Sequence, residues 1–192
     1  MDEQQLALEI AKGLVETGVE GPYDCVTCST AGDYPSMGCS QWEGLDGGRG
    51  DILLSYIDGG SQFANRTYSD LADSGELDAL KELLGSEQGQ VAQNMILADD
   101  CRDKYLPALA EVEGLENPLC IIYAGIWCPT SHYVVRNFLR RRVGRGYDVN
   151  SLEAMRDMFR DEYAIAADCA DYMEGYANRA NTTYDYVSGL EV

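Results

Sequence analysis

The helical period of apolar residues stops at Gly18 and does not resume until Asp51, and this gap constrains the fold more than any other feature of the chain. Before the gap, Leu6, Ile10, Gly13 and Leu14 recur at the spacing of one helix face from about residue 3 to 17, and Gly18 stands where a left-handed C-terminal residue belongs. Between Gly21 and Gly50, Gly, Pro, Ser, Thr and Asp surround two short runs, Cys25-Val26-Thr27-Cys28 and Met37-Gly38-Cys39-Ser40-Gln41-Trp42. That pattern predicts a turn-rich region with one or two small hairpins.

Helical spacing then returns at Asp51 to Ile57, at Glu76 to Leu84, and from Glu87 to Tyr105, where Val91, Met95, Ala98, Cys101 and Tyr105 form the apolar stripe. Asn117-Pro118 opens an apolar segment that Pro129 interrupts; a helix from about Thr130 to Arg142 follows, with Thr130 or Ser131 as its N-cap, and ends at Gly144. Asn150-Ser151 is the next cap. Phe159, Tyr163, Ala166, Ala170, Met173, Ala177, Ala180, Tyr184 and Val187, spaced by fours and threes, predict one long helix with an alanine-rich seam. The expected class is mainly α, an α+β arrangement with a small β-hairpin region after the first helix. With 192 residues, no repeat and no linker, one domain over residues 1–192 is expected.

Charge narrows the partners. Thirty-three acidic against fourteen basic residues give a net charge of -19, which opposes nucleic acid and anionic lipid because both are held by Lys and Arg on phosphate. The one basic cluster, Arg136, Arg140, Arg141, Arg142 and Arg145, is expected to be a solvated helix end. No run is apolar enough to span a bilayer, so no integral membrane association is expected, and Met1-Asp2-Glu3-Gln4-Gln5 lacks the features of a signal peptide.

Seven cysteines cannot all pair internally, and free thiols are expected. Cys25, Cys28 and Cys39 could offer zinc three thiolates with His132 as the fourth ligand, but the second close pair of a zinc knuckle is missing, so no metal and no cofactor is expected. Cys128 and His132 supply a thiol and an imidazole without any sign of the geometry that nucleophilic catalysis needs.

Glu16-Thr17 at the end of the first helix, Asp33-Tyr34-Pro35-Ser36-Met37-Gly38-Cys39-Ser40-Gln41-Trp42 after it, then Arg49 and Leu53-Leu54, form an ordered set. The set resembles the lysozyme-like superfamily of glycan-cleaving enzymes, which includes lytic transglycosylases, goose-type lysozymes, phage tail lysozymes and chitosanases. The Gln41-Trp42 to Arg49 to Leu53 spacing looks most like phage tail lysozymes. Tyr123-Ala124-Gly125 is similar to the Tyr-Asn-Ala-Gly element of lytic transglycosylases, here without the Asn.

The resemblance implies a lysozyme-like fold and cleavage of peptidoglycan glycan strands by a muramidase or lytic transglycosylase, with Glu16 as general acid/base and Ser36 to Trp42 as a strand. It also implies Ser36, Gln41, Trp42, Arg49 and Tyr123 as substrate contacts. The chemistry is coherent, since glycosidic cleavage needs a carboxylic acid that donates to the leaving oxygen. Inverting hydrolysis adds a second carboxylate, for which Asp33 is the candidate; a transglycosylase needs none, which would leave Asp33 a turn residue. Glu20, before Gly21-Pro22, is the rival acid. A chitosanase acting on a cationic glucosamine polymer and a non-catalytic glycan-binding or virion protein of the same fold are the alternatives. The phage likeness implies other virion proteins as further partners, and a place in a virion or release from a host cytoplasm onto the wall.

Overall fold

The computed structural model describes residues 1–45 and 47–191. In chain order the elements are α1 (Glu3–Glu16), β1 (Val26–Cys28), β2 (Pro35–Met37), β3 (Trp42–Glu43), α2 (Arg49–Ser55), α3 (Tyr68–Asp73), α4 (Leu77–Gly85) and α5 (Glu87–Asp100). Then follow α6 (Leu106–Leu109), α7 (Pro118–Val143), α8 (Leu152–Met158), α9 (Ala164–Ala166) and α10 (Met173–Ser188), with π-helical turns at Cys101–Tyr105 and Phe159–Tyr163. The fold is mainly α-helical, with a small three-stranded antiparallel sheet after the first helix. Two compact units divide the chain: Met1–Val19 with the residues from Ala98 onward, and Glu20–Leu97. No helix among the described residues is long and apolar enough to cross a membrane.

In the first unit, α1 begins with a capping box. Asp2 Oδ1 accepts from the Gln5 amide at 2.8 Å while Gln5 Oε1 accepts from the Asp2 amide at 3.0 Å, so two orphan donors are satisfied reciprocally. It ends as its sequence predicts, with Gly18 at φ +71° and the amides of Gly18 and Val19 donating back to Val15 and Leu14. The buried face of α1 meets α7 through two reciprocal small residues. A Cβ on Gly13 would lie 2.5 Å from Ile126, and one on Gly125 would collide with Ile10, so the helices approach where each glycine receives the other's isoleucine. The core behind this seam is aromatic: Tyr123, Trp127, Phe138, Phe159 and Tyr163 are fully buried, with Trp127 4.7 Å from Phe159 and 4.9 Å from Tyr163 between ring centroids.

One expectation holds in this unit and two are corrected. The helix that resumes after Pro129 does so at Ser131, whose backbone is extended (φ -174°, ψ 111°) and whose Oγ accepts from the Val134 amide at 3.4 Å; the Thr130 side chain lies outside the described residues. The long C-terminal helix is broken. Asp168 takes φ +57° and the Cys169 amide donates to the Ala164 carbonyl at 2.8 Å, a helix stop made without glycine, and Ala170 and Met173 in the middle of the apolar stripe are exposed. The basic cluster is not uniformly solvated: Arg142 is 6% exposed, bonded to Glu162 at 2.5 Å and lying 4.7 Å from the Phe138 ring centre.

In the second unit, the sheet runs β1-β2-β3, with Val26 opposite Met37, Thr27 opposite Ser36, and Met37 opposite Trp42. Leu53, Leu54, Leu71, Leu80 and Leu84 are fully buried in this unit. On α5 the buried face carries Ala92, Gln93, Ile96 and Leu97, whereas Val91 and Met95 of the expected stripe are about half exposed, at 54% and 52%. Helical spacing identified α5; Ala98 and Cys101 of the stripe are fully buried, while its earlier turns bury neighbouring positions instead.

Candidate functional site on the hairpin

The segment Ser36 to Trp42, expected as a strand, is a chain reversal. β2 ends at Met37, Gly38 adopts φ +75° and Gln41 φ +53°, the Gln41 amide donates to the Gly38 carbonyl at 3.2 Å, and β3 begins at Trp42. Gly38 has a second reason to be glycine, since a Cβ there would lie 2.6 Å from Gln93 Oε1.

Gln93 is the residue that fixes this turn, and sequence reasoning missed it. It is fully buried; its Oε1 accepts from the Cys39 amide at 2.9 Å, and its Nε2 donates to the carbonyls of Leu84 at 2.9 Å, Tyr23 at 3.2 Å and Gly89 at 3.2 Å. A buried amide with donors and acceptor all used is a rigid strut. Gln93→Leu keeps the volume but strands the Cys39 amide and the carbonyls, so unit Glu20–Leu97 should lose about 2–4 kcal/mol, read as a lower midpoint in urea unfolding. An unchanged midpoint would show that the strut is dispensable.

The reversal carries a pocket of about 550 Å³ lined by Tyr34, Gln41, Trp42, Glu43, Leu45 and Arg49 among others. That volume suits a small-molecule or single-residue ligand. Three of the expected substrate contacts, Gln41, Trp42 and Arg49, therefore share one concavity. Ser36 lies behind it, 7% exposed, its Oγ donating to the Gln41 carbonyl at 3.0 Å, so its part is to hold the turn. The Gln41 amide is also engaged within the hairpin: Oε1 accepts from Thr27 Oγ1 at 2.9 Å, and Nε2 donates to Cys25 Sγ at 2.9 Å. Two lining residues were not singled out by sequence. Tyr34 adds a second aromatic wall. Glu43 adds a carboxylate, exposed and accepting from Ser29 Oγ at 2.7 Å; its alternation with Trp42 across a two-residue strand is too short a signal to read.

The other expected site residues go elsewhere. Asp33 Oδ1 accepts from the amide and hydroxyl of Ser69, at 3.0 and 3.1 Å, and the Asp33 carbonyl accepts from the Tyr68 amide at 3.4 Å, so this carboxylate holds the first turn of α3. Glu16 is the last residue of α1, exposed, with no hydrogen-bond or ion-pair partner for its side chain among the described residues. Tyr123 cannot touch a substrate: it is fully buried, donates its hydroxyl to the Ala180 carbonyl at 3.0 Å, and burial pushes its ionisation well up. Trp127 belongs to the same core.

All seven cysteines are free, and no group of three or more His, Cys, Asp or Glu among the described residues is placed to hold a metal. Burial, with the charge of Glu20 second, pushes the Cys39 thiol up to about 12. Cys128 is buried too, donates to the Ala124 carbonyl at 3.4 Å, and its ionisation is pushed further up by desolvation. No family model, curated protein or solved structure matches the chain.

Proposed function

We propose that the chain cleaves the glycan strands of peptidoglycan, as a hydrolase or lytic transglycosylase, with Glu16 as general acid/base, and that the hairpin pocket within the second unit binds saccharide. The observation that carries this reading is the convergence of Trp42, Tyr34, Gln41, Glu43 and Arg49 around one concavity. Aromatic faces take the apolar faces of sugar rings, while carboxylate and guanidinium groups bond hydroxyl and amide groups at the ring edge. The Asp33 carboxylate, engaged at the start of α3, favours a route that needs no base from that position.

The test is mass spectrometry of soluble products from purified peptidoglycan treated with the full chain. Anhydro-muramic ends identify a transglycosylase, reducing ends a hydrolase, and undigested glycan at every ionic strength overturns the reading. A cationic glucosamine polymer is the second reading, favoured by the net charge of -19 and by Glu43 in the pocket. For that substrate, cleavage should be fastest at low salt and fade as the Debye length falls from about 30 Å at 0.01 M to about 10 Å at 0.1 M. Walls that carry anionic polymers should show the opposite response.

A further inference from the structure

With thirty-three acidic residues available, almost every cation in this chain has found a partner. Among the described Lys and Arg side chains, only Arg141 and Arg145 have no hydrogen-bond, ion-pair, ring or other electrostatic partner. Both line the same pocket of about 410 Å³, within the first unit, together with Arg142, Asp161, Glu162 and Ile165. The two carboxylates of that pocket are already neutralised. Asp161 takes the Arg160 guanidinium through both oxygens at 2.7 Å, and Glu162 takes Arg142 at 2.5 Å and the Tyr147 hydroxyl at 3.0 Å. Two positive charges are therefore left uncompensated in one concavity of a strongly acidic chain.

Capping does not account for them. Positive side chains near a helix C-terminus complement its carbonyls, but here the carbonyls of Arg140, Arg142 and Val143 already accept from the amides of Gly144, Tyr147 and Gly146 at 2.9–3.1 Å. Arg142, fixed by Glu162 and the Phe138 ring, gives the pocket a rigid wall, and Ile165, 64% exposed, adds an apolar surface beside the two free guanidinium groups.

We infer that this pocket binds a small organic phosphate, with Arg141 and Arg145 bonding the phosphate oxygens and Ile165 packing against the organic part. A phosphate monoester dianion matches both uncompensated charges, whereas a carboxylate would leave one unmatched, and the guanidinium fork suits phosphate geometry. At 0.15 M salt the acidic surface beyond the Debye length of about 8 Å is screened, so the local pair governs binding.

The test titrates the full chain with phenyl phosphate, inorganic phosphate and benzoate by calorimetry, and follows the Ile165 methyl signal by NMR. Expected are saturable 1:1 binding of phenyl phosphate with a dissociation constant on the order of 1 mM or tighter, a concerted shift of the Ile165 methyl, and benzoate at least about tenfold weaker. Inorganic phosphate should compete but bind less tightly, because it lacks the apolar part. Arg141→Gln with Arg145→Gln should weaken phenyl phosphate at least about tenfold, while Arg136→Gln, outside the pocket and paired with Glu111, should change it less than about twofold. The Ile165 signal is read in the unaltered chain, so the result does not hang on the variant's stability. Absence of saturation, benzoate binding as well as phenyl phosphate, or undiminished binding by the double variant would overturn the assignment.

Discussion

For the proposed glycan cleavage, Glu16→Gln should lower turnover on peptidoglycan by about 10²- to 10⁴-fold, the range that a positioned general acid/base contributes. Glutamine keeps the size and hydrogen-bonding capacity of the side chain but has no proton to give to the leaving oxygen. The fold should be indifferent to the change. Glu16 is exposed at the end of α1, and the stop that follows it is made by Gly18 and by backbone bonds to Leu14 and Val15. Substitutions of that kind usually stay within about 0.5 kcal/mol. The measurement is release of soluble glycan fragments alongside a thermal melt. Wild-type turnover in Glu16→Gln would exclude its assigned role, and a loss in Glu20→Gln or Glu43→Gln instead would move the acid to that position.

Trp127→Ala should have the largest effect on stability, about 3–5 kcal/mol, the usual cost of truncating a buried tryptophan or phenylalanine. Its indole is fully buried, packs against Phe159 at 4.7 Å, Tyr163 at 4.9 Å and Tyr176 at 5.7 Å, and lies 4.4 Å beneath the Arg179 guanidinium. Truncation opens a cavity and takes from a largely buried cation the ring face that stabilises it, leaving its bond to the Ile126 carbonyl at 2.8 Å. Urea unfolding followed by circular dichroism measures the loss. A shift below about 1 kcal/mol would mean that the aromatic core closes around the vacancy.

The mechanism prediction and the stability prediction draw on different parts of the sequence, and they were not equally visible in it. Glu16 was legible because a helix end is written locally, in the cessation of the apolar period and a glycine one residue beyond the cap. The resemblance groups Gln41, Trp42 and Arg49, and these three residues line one pocket. Ser36 and Gln41 were named as contacts, yet their polar atoms hold the turn. Tyr123 failed as a site residue for a related reason: a tyrosine in an apolar segment reads the same whether its hydroxyl faces solvent or, as here, the Ala180 carbonyl 57 residues away. Gln93 is not legible in the sequence because two of its partners, Cys39 and Tyr23, lie 54 and 70 residues away, and no local pattern announces a polar residue whose bonds are satisfied at such separations.

The sequence by itself determined several helix ends, because caps, glycine stops and proline positions act over three or four residues: Asp2 with Gln5, Gly18, Asn117-Pro118 and Ser151 all act where they stand. It also determined that a small β region interrupts the helices. Tertiary structure decided which face the first half of α5 buries. Val91 and Met95 are exposed and Gln93 buried, since a periodic stripe names a candidate face but the neighbouring backbone supplies the partners that make burial favourable. Tertiary structure also decided that the C-terminal stripe is cut at Asp168, where a left-handed residue without glycine is held by bonds within the turn and by the packing of Tyr163 and Ala164. And it decided the charges: Arg141, Arg142 and Arg145 are alike in sequence, but only Arg142 has a carboxylate within reach, because Coulomb attraction in water falls away within a few ångströms and that proximity is set by how the helices pack.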